Sequence, residues 1–531
     1  MPAGKNKKPD YQTLNASKKS GGANAHDQAA LKPSANLKNG DKQAKNLTNP
    51  NKQPEKEIAS EAISEKIESV QAKKYVPATE SSQPKADATY AGQAKEKKRE
   101  KKAEKDRELL DDEKWFKRNG HALTYVGLYL FSILVFFRPY ELIPALSFLS
   151  TTAFFFALAT LVVYVPTQLS TEGSLTILST EVKCVLAMTL IALVTMPVAK
   201  DPPTAWATFN DSFIKAVLMF IVMVNVLRTR RRLMGLLWLS LSVGLYLSYT
   251  AIDLYLKGEL KVEGYRVDVE VKGLFGNPND LALHLVTITP IAIALALGSR
   301  NKIMRAVYYV MTALFIAANT VTFSRGGFLG LLATAAVLVW KLSRKNRLNI
   351  SIASIFVGGL FIMLAPGNYG LRMLSIFVPA LDPVGSSDQR RELLERSILV
   401  TLRNPWGIGI GNFPIVGIRN LVTHNSFTQV SSELGLLGLA CYLFFIISPF
   451  RKLGAIERTL FAKEELNWFY YMAIGLQASI VGYLVSSFFV SVAYNWFIYY
   501  LIAYAVAFRR IYKIEQGIEE TEKDAFGLQT V

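Results

Sequence analysis

The sequence at residues 277–298, NPNDLALHLVTITPIAIALALG, carries the strongest indication of the fold. From Leu281 to Gly298 it contains no charged residue, and a helix needs about 20 apolar residues to cross a bilayer. Comparable apolar runs recur along most of the chain. We therefore predict an all-α, polytopic membrane protein with about twelve transmembrane helices. The predicted spans are 121–138, 145–165, 180–199, 207–227, 233–252, 280–298, 304–323, 327–341, 350–366, 427–449, 466–489 and 490–508.

The first 118 residues differ in composition from the rest of this chain, whose formal net charge is +18. They are rich in Lys, Glu, Ala, Gln, Asn and Ser, so they bury too little apolar area to offset their ordering entropy. Because lysines alternate with glutamates and the segment leads into a membrane anchor, we expect contact with membrane lipids and no nucleic-acid binding. The predicted regions are a disordered basic cytoplasmic tail (1–118), a transmembrane domain (119–510) and a short cytoplasmic C-terminal tail (511–531).

Basic residues between the predicted spans fall on one side of the membrane. By the positive-inside rule that side is cytoplasmic, and both termini are expected there. The basic connections are Arg228–Arg232, Arg300–Arg305, Lys341–Arg347, Arg451–Lys452 and Arg509–Lys513.

Two long connections, 253–279 and 367–426, fall on the opposite, outer side. Loops longer than about 12–15 residues are uncommon in compact domains unless they are functional or disordered. Within the second connection, residues 386–403 alternate charged and apolar positions as a short amphipathic helix does. We predict an ordered periplasmic loop that contains this helix. Its less polar side would consist of Leu393, Leu394, Ser397, Ile398 and Thr401.

Arginines on the outer side depart from the charge rule and are candidate binding residues. Arg325 lies between two hydrophobic runs, where an ionisable residue is costly and usually functional or paired. The alternative is an interfacial arginine that reaches headgroup phosphates. We favour binding, because the glycines that follow Arg325 allow a ligand to approach the backbone. The other outer arginines are Arg138, Arg266, Arg372, Arg390, Arg391, Arg396, Arg403 and Arg419.

His424 lies at the outer start of the tenth predicted span. An isolated histidine is more often structural than catalytic. Here, however, Asn425 or Ser426 can cap the helix, and the positive end of the helix dipole disfavours the imidazolium form. A neutral imidazole in this position can accept a proton.

Glu433 follows His424 in the same predicted span. On one continuous helix the two would lie about 13 Å apart along the axis and on opposite faces, so we expect no direct dyad. We predict a buried structural carboxylate that hydrogen-bonds a neighbouring helix, with Gly435 and Gly438 permitting close packing.

The sixth predicted span begins with Gly276-Asn-Pro-Asn-Asp280, in which Asn277 is a cap and Pro278 takes the first helical position. Capping alone is one explanation. The sixth, eighth and tenth spans nevertheless all begin at the outer face, and helix N-termini attract anions. With the outer arginines, this arrangement favours a phosphate or diphosphate site. The sequence has no Walker-type loop, no His-Glu-x-x-His and no Cys or His cluster, so it indicates neither metal nor cofactor.

Four segments, in order, resemble the O-antigen ligase and polymerase superfamily. The similarity extends over residues 120–510 and includes the large outer loop before the His-Asn pair. The segments are Gly273–Asp280, Phe323–Gly327, Arg390 with Asn404–Asn412, and His424-Asn425 followed by Glu433–Gly438.

Members of that family transfer a glycan from undecaprenyl diphosphate at the outer face of the bacterial inner membrane. The acceptor is lipid A-core for ligases, or a second lipid-linked glycan for polymerases. The resemblance implies that His424 activates the acceptor hydroxyl and that Arg325 and Arg390 hold the diphosphate. Direct displacement by that hydroxyl predicts inversion at the anomeric carbon, and the residues present favour a metal-free reaction. The further expected substrate-binding residues are Arg391, Arg266, Asn277, Asn279 and Asn425. Where the family has an aromatic residue shortly after the loop arginine, this chain has Leu394, a departure at the expected sugar-stacking position.

Alternative functions remain open at this point. An O-antigen or exopolysaccharide polymerase needs the same diphosphate site and acceptor hydroxyl as a ligase. A transporter of an anion or lipid-linked sugar is the alternative from another class. Transporters often contain inverted repeats and broken helices near the midplane, whereas the polar motifs here cluster at the outer face and no internal repeat is evident.

Overall fold

The computed structural model describes residues 115–138, 152–269, 277–343 and 385–517, together with some positions between these ranges. Those positions are 140, 275, 348, 352, 355, 358, 359, 365, 367, 369–376 and 378. All belong to one compact unit, Asp87–Val531. Most of the predicted tail at 1–118, and most of the ninth predicted span at 350–366, lie outside the described residues.

The described chain is helical, and its one extended feature is an isolated bridge between Val262 and Arg266. The helices are α1 (Trp115–Phe136), α2 (Thr152–Glu172), α3 (Thr180–Thr195), α4 (Pro202–Thr208), α5 (Ile214–Val226), α6 (Arg230–Leu256), α7 (Pro278–Gly298), α8 (Lys302–Val321), α9 (Arg325–Leu342), α10 (Tyr369–Leu374), α11 (Ser386–Arg403), α12 (Phe413–Val416), α13 (Ser426–Glu433), α14 (Gly435–Ala462), α15 (Trp468–Ser486) and α16 (Trp496–Glu515).

Within the described ranges, nine helical segments are long and apolar enough to cross a membrane. They are α2, Thr180–Val198, Pro202–Val226, α6, α7, α8, α9, α14 and Trp468–Phe489. The apolar part of α1, His121–Phe136, is shorter, and α16 is not among the nine. The prediction of an all-α polytopic membrane protein is therefore confirmed, whereas these helices do not establish the count of twelve.

Three predicted spans differ most from the observed helices, and the last of them, predicted at 490–508, lies at Trp496–Glu515. The second span, predicted at 145–165, lies at Thr152–Glu172. The tenth, predicted as one helix over 427–449, is divided between α13 and α14. The division has a physical cause: backbone amides of the preceding loop donate hydrogen bonds to carbonyls at the end of α13. The amides of Ile408 and Gly409 donate to the carbonyls of Ser432 and Glu433, both at 3.0 Å.

Helices α7 and α15 form the centre of the bundle and are the two most buried of the nine candidate spans. They contact each other directly, since Ser479 Oγ on α15 donates to the Thr287 carbonyl on α7 at 2.7 Å. At one end of the bundle, the start of α7 meets the end of α8, where Asn319 Nδ2 donates to the Ala282 carbonyl at 3.0 Å. There too, Ser486 Oγ at the end of α15 donates to the Gly326 carbonyl on α9 at 3.2 Å. We call this the site end, and the opposite end, where α6 and α8 start, the basic end.

Candidate functional site

Three helices with capped N-termini begin at the segments that the sequence singles out. Asn277 Oδ1 accepts from the Asn279 amide at 2.9 Å at the start of α7. Ser324 Oγ accepts from the Gly327 amide at 3.2 Å at the start of α9. Asn425 Oδ1 accepts from the Phe427 amide at 2.9 Å at the start of α13. The predicted caps Asn277 and Asn425 are confirmed. These caps already satisfy one amide at the starts of α7 and α9 and two at the start of α13, which leaves fewer amides to interact with an anion.

Arg266, in the connection between α6 and α7, joins the starts of two of these helices. Its side chain is buried and donates from Nη2 to Asn279 Oδ1 at 2.8 Å and from Nε to the Thr322 carbonyl at 2.9 Å. Ser324 Oγ donates to the same Asn279 oxygen at 2.9 Å. Asn279, which the sequence analysis expects to bind substrate, therefore holds Arg266 in place at the start of α7.

A second arginine, Arg372 on α10, is bound on the same side through Glu263. The Glu263 carboxylate lies 3.5 Å from Arg266 Nη1 and 3.3 Å from Arg372 Nη2. Arg372 also donates from Nε to the Phe323 carbonyl at 2.8 Å and from Nη1 to the Tyr265 hydroxyl. Phe323 has a φ of 51°, a left-handed conformation that bulky residues rarely adopt, and its ring packs against Tyr265 and Tyr369. Sequence reasoning listed Arg372 among the outer arginines, but it gave no indication of Glu263 as a shared partner.

Arg325 and Arg390 complete a cluster of four arginines. Arg325 Nη1, at the start of α9, donates to Ser387 Oγ at 2.7 Å, and Arg390 follows one turn later on α11. Burial, followed by the charges of Arg266, Arg325 and Arg372, lowers the pKa of Arg390 to about 10. Only Glu263 opposes them among the principal contributions. Four guanidinium groups with one carboxylate leave an excess of positive charge, which favours an anionic ligand.

Arg391 is placed differently from its neighbour Arg390. Its side chain is 80% exposed and pairs with Glu395 on the same helix, with Nε and Oε1 3.0 Å apart. Adjacent residues on a helix point about 100° apart, so only one of them can face the cluster. Arg390 therefore faces the other arginines, whereas Arg391, which the sequence analysis expects to bind substrate, points to solvent.

His424 adopts a left-handed conformation with a φ of 51° and is half-buried just before α13. Its neighbours fix this segment to the residues before α16. Thr423 Oγ lies 2.8 Å from Ser491 Oγ, and Ser426 Oγ donates to the Val490 carbonyl at 2.7 Å. Burial, followed by the charge of Arg390, lowers the pKa of His424. The ring is therefore neutral near pH 7 and able to accept a proton. Burial and the Arg390 charge act in the same direction as the helix dipole that the sequence analysis invokes.

Asn425 contributes one further polar group beside His424. The side chain is 3% exposed, and its Oδ1 caps α13. Its Nδ2 is buried and has no hydrogen-bond partner in the part of the chain that the structure describes. A buried donor without a partner is costly, so this amide is a candidate to bind a ligand oxygen.

Glu433 is separate from this cluster. It is 2% exposed and accepts from the amide of Phe413, the first residue of α12, at 3.3 Å. This agrees with a structural carboxylate that bonds a neighbouring helix. The two glycines, however, do not form the helix–helix contact that the sequence predicts. A Cβ on Gly435 would meet the Pro405 carbonyl oxygen at 2.4 Å, and a Cβ on Gly438 would meet Leu434 of the preceding turn at 2.5 Å.

The glycines after Arg325 also have a different role from the predicted one. A Cβ on Gly326 would lie 2.9 Å from Phe489, and one on Gly327 would lie 2.7 Å from Ala282. Side chains of α7 and of the segment after α15 already occupy this space. These glycines therefore permit close packing at the start of α9 rather than the approach of a ligand.

The helix predicted at 386–403 is confirmed as α11. On its less polar side Leu393, Ser397 and Thr401 are buried as predicted, whereas Ile398 is exposed and Val400 is buried in addition. Leu393 and Val400 form a small core with Ile408 and Phe413. This core fixes α11 on the segment that leads to His424.

Among the described residues, no group of three or more His, Cys, Asp or Glu side chains is placed to hold a metal ion. The fold and the site together define a polytopic helical membrane protein with an arginine-rich cluster at one end of its bundle. Residues 310–443 match the family model described as Wzy_C, O-antigen ligase, and this match places the segment in the O-antigen ligase superfamily. The matched residues include Arg325, Arg390, His424 and Glu433. No curated protein matches the chain.

Proposed function

We propose that this chain is a membrane glycosyltransferase that moves a glycan from undecaprenyl diphosphate to an acceptor hydroxyl at the periplasmic face of the inner membrane. The observation that carries the proposal is the cluster of Arg266, Arg325, Arg372 and Arg390, together with a neutral histidine, His424, that the charge of Arg390 reaches. The family match supports the reaction class.

The arginine cluster fits a diphosphate better than a single carboxylate. Guanidinium groups bind phosphate oxygens in pairs of hydrogen bonds, and they remain charged at any physiological pH. The groups here come from separate segments: the connection before α7, the start of α9, α10 and α11. A diphosphate would bind between these segments and offset the mutual repulsion that, after burial, contributes to the lowered pKa of Arg390.

His424 acts as the general base in this proposal. Its neutral imidazole removes the proton of the acceptor hydroxyl as the oxygen attacks the anomeric carbon of the donor glycan. The bond between that carbon and the diphosphate oxygen breaks, and its electron pair passes to the departing diphosphate. Arg325 and Arg390 stabilise this charge as it develops. Because the attack is a direct displacement, the configuration at the anomeric carbon inverts.

A ligase and a polymerase would use the same groups and differ in the acceptor. In a ligase the hydroxyl belongs to lipid A-core, and in a polymerase it belongs to a second lipid-linked glycan. A transporter would need the donor to leave unchanged. These outcomes are separable in one assay.

The test uses the full chain in liposomes with a labelled undecaprenyl-diphosphate glycan. One sample contains lipid A-core and the other only additional donor. Label on lipid A-core identifies a ligase, and a ladder of longer lipid-linked chains identifies a polymerase. Unchanged donor in both samples, with folded protein and the native glycan, would overturn the proposal in favour of transport.

His424→Ala provides the control for mechanism. It should abolish transfer in either sample while donor binding is retained, because the arginines remain. Full activity of this variant would exclude His424 as the base, and loss of donor binding would assign it to binding instead.

A further inference from the structure

A cavity of about 950 Å³ opens at the basic end of the bundle, away from the arginine cluster. It is bounded by the start of α6, the connection between α7 and α8, and the connection between α14 and α15. Its volume lies within the range of roughly 300–1,000 Å³ that is usual for ligand pockets. Nothing in the proposed glycan transfer uses this cavity.

The rim of the cavity is positively charged. Arg230, Arg300 and Arg305 line it, and Glu465 is the one acidic residue among its lining residues. Two of the arginines are held in place: the Arg230 guanidinium lies 4.2 Å from the centre of the Trp468 ring, and Arg305 Nη2 donates to the Ser299 carbonyl at 2.8 Å. Three guanidinium groups around one opening would attract a phosphate.

The backbone amides at the helix starts beside the rim contribute less to anion binding than the arginines do. Asn301 Oδ1 accepts from the Ile303 amide at 2.9 Å, and Asn467 Oδ1 accepts from the Phe469 amide at 2.9 Å. Both starts, of α8 and α15, are thus capped by their own side chains. The arginines are left as the groups that can bind an anion.

The deeper wall of the cavity is apolar. Met234 of α6, Leu295 of α7, and Met304 and Tyr308 of α8 form it. Trp468 lines the cavity too; it is 7% exposed, and its indole Nε1 has no hydrogen-bond partner among the described residues. A free phosphate would leave the apolar wall without a ligand, whereas a lipid would contact both parts.

We propose that this cavity binds one anionic phospholipid, with its phosphate between Arg230, Arg300 and Arg305 and an acyl chain against Met234 and Leu295. Basic pockets between helices at a membrane surface recognise anionic headgroups in this way. The predicted orientation places the lipid in the cytoplasmic leaflet. The site is independent of the proposed glycan transfer, because it lies at the other end of α7 and α8 from Asn279 and Thr322.

The test is native mass spectrometry of the full chain in detergent, with phosphatidylglycerol or phosphatidylcholine added. The wild type should retain one phosphatidylglycerol more tightly than phosphatidylcholine. The double variant Arg230→Gln with Arg300→Gln should weaken that binding on the order of 25-fold, since each basic residue near an anionic surface contributes a factor of about five. The matched control, Arg231→Gln with Lys302→Gln, removes the same charge from the same two connections but not from the lining. It should bind as the wild type does.

A second variant separates a lipid site from a general attraction of charge. Met234→Trp fills the apolar wall and keeps all three arginines, so it should lose the bound lipid. Inorganic phosphate at equal concentration should not displace phosphatidylglycerol from the wild type. Three results would each overturn the proposal. They are an equal loss of phosphatidylglycerol binding in the two double variants, retention of the lipid by Met234→Trp, and displacement of the lipid by inorganic phosphate.

Discussion

Arg325 Nη1 donates a hydrogen bond of 2.7 Å to Ser387 Oγ, although the two residues are 62 positions apart in the chain. The bond connects the start of α9 to the first turn of α11, and residues one turn apart on a helix lie on the same face. It therefore fixes the position of Arg390 relative to Arg325. We infer that the geometry of the arginine cluster depends on this contact.

Ser387→Ala tests that inference. Removing one hydrogen bond to a charged group costs about 1.5–3 kcal/mol, and here we expect the loss to appear as a transfer rate lower on the order of tenfold. The unfolding temperature should also fall modestly, because the same hydrogen bond contributes to stability. Ser387→Thr keeps the hydroxyl and should restore most of the rate. An unchanged rate in Ser387→Ala would contradict the positioning role.

Arg390 and Arg391 form a pair of adjacent residues with different surroundings. Arg390→Gln should reduce transfer by roughly 100-fold or more, as is typical when a group that stabilises developing charge is removed. Arg391→Gln removes an exposed pair with Glu395, which contributes only about 0–1 kcal/mol to stability, and it should leave transfer almost unchanged. The measurement is initial rate in the liposome assay. Similar losses in both variants would mean that the side-chain placement on α11 is wrong.

The pH dependence of transfer follows from the lowered pKa of His424. The base must be neutral, so the rate should rise with pH through the pKa of His424 and become constant around pH 7. The Arg390 charge is one cause of the lowered pKa. Arg390→Gln removes that charge, so the pKa should move up toward the ordinary value of about 6.5, and the acidic limb should shift to higher pH. The residual rate of this variant, measured against pH, tests the shift, and Arg391→Gln is the control. If the acidic limb of the pH–rate profile stays in place or moves to lower pH, the Arg390 charge does not act on His424 as described.

Asn279→Asp changes the charge of the site with little change in shape. A carboxylate at this position can still accept the bonds from Arg266 and Ser324 that Asn279 Oδ1 accepts now. It would, however, neutralise part of the positive charge that binds the donor, and we expect donor affinity to fall on the order of tenfold. Binding of the labelled donor and the unfolding temperature should be measured together. Unchanged affinity in the folded variant would place the diphosphate away from Arg266.

Gly435 and Gly438 should differ in their tolerance of alanine. Gly435 has a φ of 75° and lies where a Cβ would meet the Pro405 carbonyl oxygen, so Gly435→Ala combines backbone strain of about 1–3 kcal/mol with a clash. Gly438 has no such φ, and its new methyl would meet the side chain of Leu434. Thermal unfolding should therefore rank Gly435→Ala as the more destabilised variant. The reverse order would contradict the loop contact at the break between α13 and α14.

Local features of this chain were predictable from the sequence because they depend on neighbouring residues. Apolar runs indicated the membrane-spanning helices, and the polar residues before them indicated the caps Asn277 and Asn425. The alternation of charge over residues 386–403 indicated α11. Each of these signals acts over a few helical turns, so no knowledge of distant contacts was needed.

The tertiary structure decided what depends on residues distant in sequence. It placed Arg390, and not Arg391, beside Arg266, Arg325 and Arg372. It divided the tenth predicted span, because amides of the preceding loop bond the end of α13. It also assembled the basic-end cavity from the start of α6 and two connections that are distant in the sequence. Periodicity in the sequence defines the faces of each helix, but only packing between segments determines which faces meet and which charges share one site.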